Sequence, residues 1–202
     1  MAVGAPLRPA VFLDKDGTIL VDVPYNVDPA RMAFAPGAGD GVRMLHRAGY
    51  ALVVVSNQSG VARGLFAESQ LDAVEARLRA MFEDAGARLT DFVYCPHHPE
   101  GSVGRYARAC SCRKPEPGMI AGAAASNDID LDRSWMVGDI LDDVECGHRA
   151  GCRTALVDNA NETEWRGGAG RTPDIVVSDL RAAALAIVDP AVPTRPHVGV
   201  RA

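Results

Sequence analysis

Short apolar runs and longer amphipathic stretches take turns along this chain. The runs are residues 11–14, 50–55, 92–94, 135–138, 154–157 and 175–177, with Val53-Val54-Val55 the purest. Runs this short and this β-branched read as strands of a parallel sheet, whose members need apolar residues on both faces. Between them the apolar positions fall at helical spacing. Val42 and Leu45 share a face after a Pro36-Gly37 start, and Gly49 is the stop. Leu71, Val74, Leu78 and Met81 form a second stripe that faces a core. Residues 117–126 are alanine-rich behind an initial proline, and Leu180, Leu185 and Val188 mark a closing helix. Strands alternating with helices predict an α/β fold, a three-layer sandwich with a mainly parallel sheet and no large cap domain.

In such a sheet ligands gather at the carboxyl ends of the strands. The first run ends on Asp14, and Asp16 follows just before the Gly17 turn. Two carboxylates held close repel each other unless a cation or a shared proton compensates. Mg²⁺, a hard ion with oxygen ligands, suits a site that also takes phosphate. The pair reads as a nucleophile with an acid/base beside it, or else as a solvated turn, since Asp and Gly are common turn residues. The second run closes on Ser56-Asn57-Gln58-Ser59-Gly60, a hydroxyl and several backbone amides able to hold phosphate oxygens, with Arg63 close behind. The fourth closes on Asp139, an acid placed to complete an octahedral Mg²⁺ site. Asp142 and Asp143 open the next helix, where acids favour the helix dipole with or without a metal, and one of the two is a candidate to stand just behind the metal's direct ligands. Residues 21–29 leave the first strand as a long loop with two prolines, either a flap over the site or a plain surface connection. Residues 159–171 are polar and glycine-rich, with no role assigned to them.

The third run enters a different kind of site. Cys95-Pro96-His97 is followed, after twelve residues, by Cys110-Ser111-Cys112. Three thiolates and one imidazole make the closed set of a structural Zn²⁺ site, with His98 competing for the place of His97. The intervening segment holds Pro99, Gly101 and Gly104 and little apolar content, so a metal staple would give it a reason to be ordered. It leads straight into Arg113-Lys114-Pro115. Lysine there is a point positive charge, and arginine is a fork for a carboxylate, a phosphate or a hydroxyl-rich ligand.

Composition narrows the partners. A chain of 202 residues suits one domain over residues 1–188, and residues 189–202, with three prolines and little periodicity, predict a flexible tail. A net charge of −5 offers no global basic field to nucleic acid or anionic membrane. No run is long enough to cross a bilayer, and the first nine residues lack the apolar core of a secretory signal, so a cytoplasmic protein is expected. Five cysteines, an odd number, fit metal binding in a reducing compartment better than a disulfide framework.

Taken together, Asp14-Lys15-Asp16-Gly17-Thr18, Val53 through Gly60, Cys110 through Pro115, and Met136-Val137-Gly138-Asp139 with Asp142 and Asp143 resemble the haloacid dehalogenase superfamily of phosphohydrolases. The resemblance runs in order over residues 9–188 and is nearest to the histidinol-phosphatase-like branch. It implies a Rossmann-like sheet, Asp14 as nucleophile and Asp16 as acid/base. It implies Ser56 as phosphate binder, with Asn57 and Gln58 beside the substrate, Lys114 for transition-state charge and Arg113 for substrate recognition. It assigns Mg²⁺ to Asp14, Asp139 and the backbone carbonyl of Asp16, and Zn²⁺ to Cys95, His97, Cys110 and Cys112. Ile140 stands where members of the branch often carry lysine or serine. The implied partner is a small phosphorylated sugar, a heptose 1,7-bisphosphate cleaved at its 7-phosphate, with histidinol phosphate as the alternative substrate. A non-catalytic metabolite-binding module is the rival from another class. By analogy with small capless members, a monomer is expected.

Overall fold

The structure is a computed structural model that describes residues 7–162 and 166–189, so the predicted tail beyond Asp189 lies outside the described residues. Strands β1 (Ala10–Leu13), β2 (Ala51–Asn57), β3 (Leu89–Cys95), β4 (Trp135–Gly138), β5 (Arg153–Val157) and β6 (Ile175–Val177) form one sheet, ordered β3-β2-β1-β4-β5-β6 and parallel throughout. Helices α1 (Ala38–Arg47), α2 (Leu71–Asp84), α3 (Gly118–Ser126), α4 (Leu141–Ala150) and α5 (Leu180–Val188) cover its two faces.

β1 is central, and its side chains alternate between the faces as a strand's must. Val11 and Leu13 join the core built with α1, α2 and α5, while Ala10 and Phe12 join the core beneath α3, with Cys146 of α4 and Cys95 of β3. Burial on both faces is why the strand reads as an unbroken apolar run. The chain builds outward from β1 through β2 to β3, then returns to lay β4 on the other side of β1. The direction of winding reverses between β1 and β4, and a crevice opens at the carboxyl ends of strands flanking such a reversal. Asp14 and Asp139 follow the last residues of those two strands.

The observed elements differ from the expected ones mainly at their ends. β3 begins at Leu89, three residues before its apolar run, and its burial recurs every third residue, not along its whole length. It is an edge strand, so Thr90 and Asp91 sit in it at little desolvation cost. The 21–29 loop leaves at Leu20 and returns at Phe34, which bridges Leu20 in antiparallel sense. Val21 N donates to the Ala33 carbonyl at 3.0 Å and Ala35 N to the Ile19 carbonyl at 3.0 Å. Between those ties Val21 and Tyr25 stand exposed. Among the described residues, no helix is long and apolar enough to cross a membrane.

Candidate active site

Three carboxylates meet at the reversal point. Asp14, Asp139 and Asp143 are all buried and offer oxygens within 4.8 Å of one another. Gly17 makes this approach possible. It turns the chain at φ +82°, and a Cβ there would lie 2.1 Å from Asp139 Oδ2. Thr18 Oγ1 donates to Asp139 Oδ1 at 3.0 Å. Lys114 Nζ reaches into the cluster from the loop before α3, bonding to Asp14 Oδ1 and lying 2.6 Å from Asp143 Oδ1. Burial alone would lower the Lys114 pKa, but the two carboxylates outweigh it and hold the ammonium charged. Burial, with Asp14 beside it, pushes the Asp139 carboxyl up to about 6. Burial also raises Asp143, against the pull of Lys114 and helped by Asp14 and Asp139.

One ammonium cannot neutralise three buried carboxylates, and an uncompensated buried charge is expensive. A further cation relieves that imbalance, and the donors are hard carboxylate oxygens, so Mg²⁺ fits this set. Asp16 lies at the rim. Lys15, itself buried, bonds Asp16 Oδ1 at 2.6 Å. Burial raises the Asp16 pKa and Lys15 offsets part of the rise.

The residues after β2 act largely on their neighbours. Asn57 Oδ1 accepts from Lys114 N at 3.0 Å, and its Nδ2 donates to the Lys114 carbonyl at 3.2 Å. Gln58 Nε2 donates to Ser56 Oγ at 2.7 Å. Both amides thus hold other site residues, Asn57 the backbone of Lys114 and Gln58 the hydroxyl of Ser56. Arg63 points to the cysteine loop, with Nη2 3.1 Å from His98 Nε2. Arg113 is half-buried, and its Nη1 is enclosed without a hydrogen-bond partner among the described residues.

The cysteine cluster stands beside this site. Sγ of Cys112 lies 3.1 Å from those of Cys95 and Cys110, the latter two are 3.5 Å apart, and His97 Nδ1 is 3.3 Å from Cys112 Sγ. These separations are far beyond a disulfide bond of about 2.05 Å. They are near the spacing of roughly 3.8 Å that tetrahedral Zn–S bonds of about 2.3 Å imply. All the cysteines are free thiols, and the soft donor set fits Zn²⁺. His97 faces the thiols; His98 turns away to Arg63 and accepts from Glu100 N at 3.1 Å. The loop is tied to the segment that follows β2 as well: Val103 N donates to the Ala62 carbonyl at 2.9 Å and Ser102 Oγ to the Arg63 carbonyl at 3.0 Å.

Two features go beyond what the sequence decides. Asp143 looks like a dipole acid at a helix start, yet it is fully buried and pairs with Lys114, while Asp142 pairs with Arg171 at the surface. The start of the 159–171 loop touches the acids, with Asn161 Nδ2 donating to Asp139 Oδ2 at 2.7 Å and Asn159 Nδ2 to the Gly17 carbonyl at 2.6 Å. Their position directly after a strand's carboxyl end is the signal that could have marked them.

A family model described as HAD-hydrolase-like matches residues 111–183. The D-glycero-beta-D-manno-heptose-1,7-bisphosphate 7-phosphatase of Salmonella typhi is 43% identical over 149 residues, 74% of this chain and 79% of that protein. The chain belongs to the haloacid dehalogenase superfamily. A protein of the same name from Rhodopseudomonas palustris is 42% identical over 151 residues, 75% of this chain and 84% of its own. The crystal structure of D,D-heptose 1,7-bisphosphate phosphatase from B. bronchiseptica, complexed with magnesium and phosphate, matches with a TM-score of 0.77 at 33% identity, covering 91% of this chain and 99% of that one. The acid cluster at the β1/β4 reversal is therefore the candidate active site of a haloacid dehalogenase superfamily phosphatase.

Proposed function

We propose that this protein is a Mg²⁺-dependent phosphomonoesterase that removes the 7-phosphate of D-glycero-D-manno-heptose 1,7-bisphosphate through a phosphorylated Asp14. The observation that carries the reading is the buried constellation of Asp14, Lys114, Asp139 and Asp143, in a chain whose similar proteins bear that substrate in their names.

Asp14 attacks phosphorus, forming an O–P bond as the ester O–P bond breaks. Asp16 delivers the proton that the leaving alkoxide takes up, then takes one from the water that hydrolyses the acyl phosphate. A carboxyl raised by burial suits that first step, because more of it is protonated near neutral pH. Lys114 and Ser56 oppose the negative charge that develops on the phosphoryl oxygens. Lys114 also contacts the Asp14 carboxylate directly, placing its positive charge beside the nucleophile. Mg²⁺ would be held by Asp14, Asp139 and the Asp16 carbonyl, and supplies charge neutralisation at the phosphoryl group when bound. The enclosed Nη1 of Arg113 has no acceptor among the described residues, which favours its use on substrate. Zn²⁺ on Cys95, His97, Cys110 and Cys112 would fold the loop that delivers Arg113 and Lys114. Action as a monomer follows only by analogy with small capless members of the superfamily, and the free thiols suit the reducing cytoplasm.

The test is phosphate release with Mg²⁺ from both anomers of the heptose 1,7-bisphosphate, histidinol phosphate and a few hexose phosphates, with Asp14→Asn as control. Preference for the heptose bisphosphate, abolished in Asp14→Asn, is the expected result. Preference for histidinol phosphate keeps the mechanism and replaces the substrate. Binding of these esters with no turnover favours a metabolite-binding module.

A further inference from the structure

β5 ends at Val157, and the chain turns at once over the carboxyl edge of the sheet. Asn159 Nδ2 donates to the Gly17 carbonyl at 2.6 Å, and Asn161 Nδ2 donates to Asp139 Oδ2 at 2.7 Å. The two asparagines are themselves joined, Asn161 N donating to Asn159 Oδ1 at 3.0 Å. Glu162 Oε2 then accepts from Leu141 N, the first amide of α4, at 2.7 Å. Residues 159–162 thus tie together the exits of β1, β4 and β5.

The backbone at this point is strained. Ala160, between the asparagines, has φ +69°, in the left-handed region. A residue with a Cβ stays there only where its surroundings fix it. Here the asparagine bonds on either side fix it. Gly17 is the matching concession on the facing turn, since a Cβ there would lie 2.4 Å from Asn161 Nδ2.

Asp139 consequently has a donor on each oxygen, Thr18 on Oδ1 at 3.0 Å and Asn161 on Oδ2 at 2.7 Å. Left to itself, a carboxylate facing Asp14 and Asp143 would swing away from like charge. Donors on both oxygens stop that rotation and hold Asp139 toward the other acids before any cation arrives. Outer donors of this kind commonly change metal affinity by about 10–100-fold.

We propose that Asn159 and Asn161 are positioning residues, a clasp that pre-sets Asp139 for Mg²⁺. Asn161 acts on the carboxylate directly, and Asn159 acts by anchoring the strained turn to Gly17. This rests on the reading of Asp14 and Asp139 as the Mg²⁺ site.

The experiment is calorimetric titration of Mg²⁺ alone into wild type, Asn161→Ala, Asn161→Ser, Asn159→Ala and Asp139→Asn, with thermal unfolding of each in Mg²⁺-free buffer. Both Asn161 variants should weaken Mg²⁺ binding by roughly tenfold or more. Asn159→Ala should weaken it less, and all three should unfold at the wild-type temperature. The Mg²⁺ concentration for half-maximal phosphate release should rise by the same factor, with added Mg²⁺ recovering the rate. Wild-type Mg²⁺ affinity in the Asn161 variants, beside its loss in Asp139→Asn, overturns the clasp and leaves the metal site standing. Equal Mg²⁺ binding by wild type and Asp139→Asn overturns both.

Discussion

At the scale of single residues, the site is a contest between burial and charge, and its weakest points are where atoms have least room. Gly17 is one. Its Cβ position lies inside van der Waals contact with Asp139 Oδ2, and its φ is positive. Gly17→Ala should therefore cost at least tenfold in Mg²⁺ affinity, read by calorimetry. Asp143 is another. It is buried, and its Oδ1 lies 2.6 Å from the Lys114 Nζ that also bonds Asp14. Asp143→Asn keeps the shape and removes the charge. It should lower turnover by about tenfold or more while substrate binding changes less, because Lys114 then leans more strongly on the nucleophile. Asp14 and Asp139 were legible in the sequence because each closes an apolar run, and a strand end has a fixed meaning in a parallel sheet. Asp142 and Asp143 were legible only as a pair, because an acid in the first turn of a helix is ordinary, and only the tertiary contact with Lys114, 29 positions away, tells that Asp143 is the one that turns to the site. Asn159 reaches a partner 142 positions away, a contact that leaves no local pattern.

At the scale of elements, function depends on two loops held against each other. Segment 98–109 lacks the apolar residues to order itself, and it is fixed by the cysteine cluster at its ends, by hydrogen bonds to Ala62 and Arg63, and by Glu68, which accepts from Tyr106 Oη. Loosening any of these frees Arg113 and Lys114. Treatment with a Zn²⁺ chelator, or Cys112→Ser, should lower the unfolding temperature and reduce phosphatase activity several-fold even at saturating Mg²⁺. Asn57→Ala removes both side-chain bonds to the Lys114 backbone. It should destabilise the protein by about 1–3 kcal/mol by denaturant titration and slow turnover as well. The strands were legible where buried on both faces. The start of β3 was not, because an edge strand tolerates polar residues that blur the pattern. Of the histidines, the single-residue spacer and the family resemblance point to His97 with His98 as its competitor, and the path of the loop turns the His97 ring toward the thiols and His98 toward Arg63.

At the scale of the whole molecule, the order of strands does most of the work, since reversal of winding between β1 and β4 brings Asp14 beside Asp139 from 125 residues away. Stability is shared with regions remote from the site. Asp174 links the segment before β6 to β5. Burial works to raise its pKa, but the Thr154 amide at 2.7 Å, with His148 at 3.1 Å and the Thr154 hydroxyl at 2.9 Å, brings it below the ordinary 3.8. A carboxylate with a depressed pKa adds stability above its unfolded value, and that contribution is lost as pH falls through the folded one. The unfolding temperature of wild type should thus fall more steeply below the ordinary carboxylate range than that of Asp174→Asn, as a pH series of melting curves would show. The central claim is chemical, that Asp14 carries the phosphoryl group. The most direct measurement is borohydride trapping during rapid-quenched turnover of the heptose bisphosphate, followed by peptide mass analysis. Conversion of Asp14 to homoserine, absent without substrate, is the predicted result. Turnover at full rate with Asp14 unmodified, or with the reduced residue elsewhere, would contradict it.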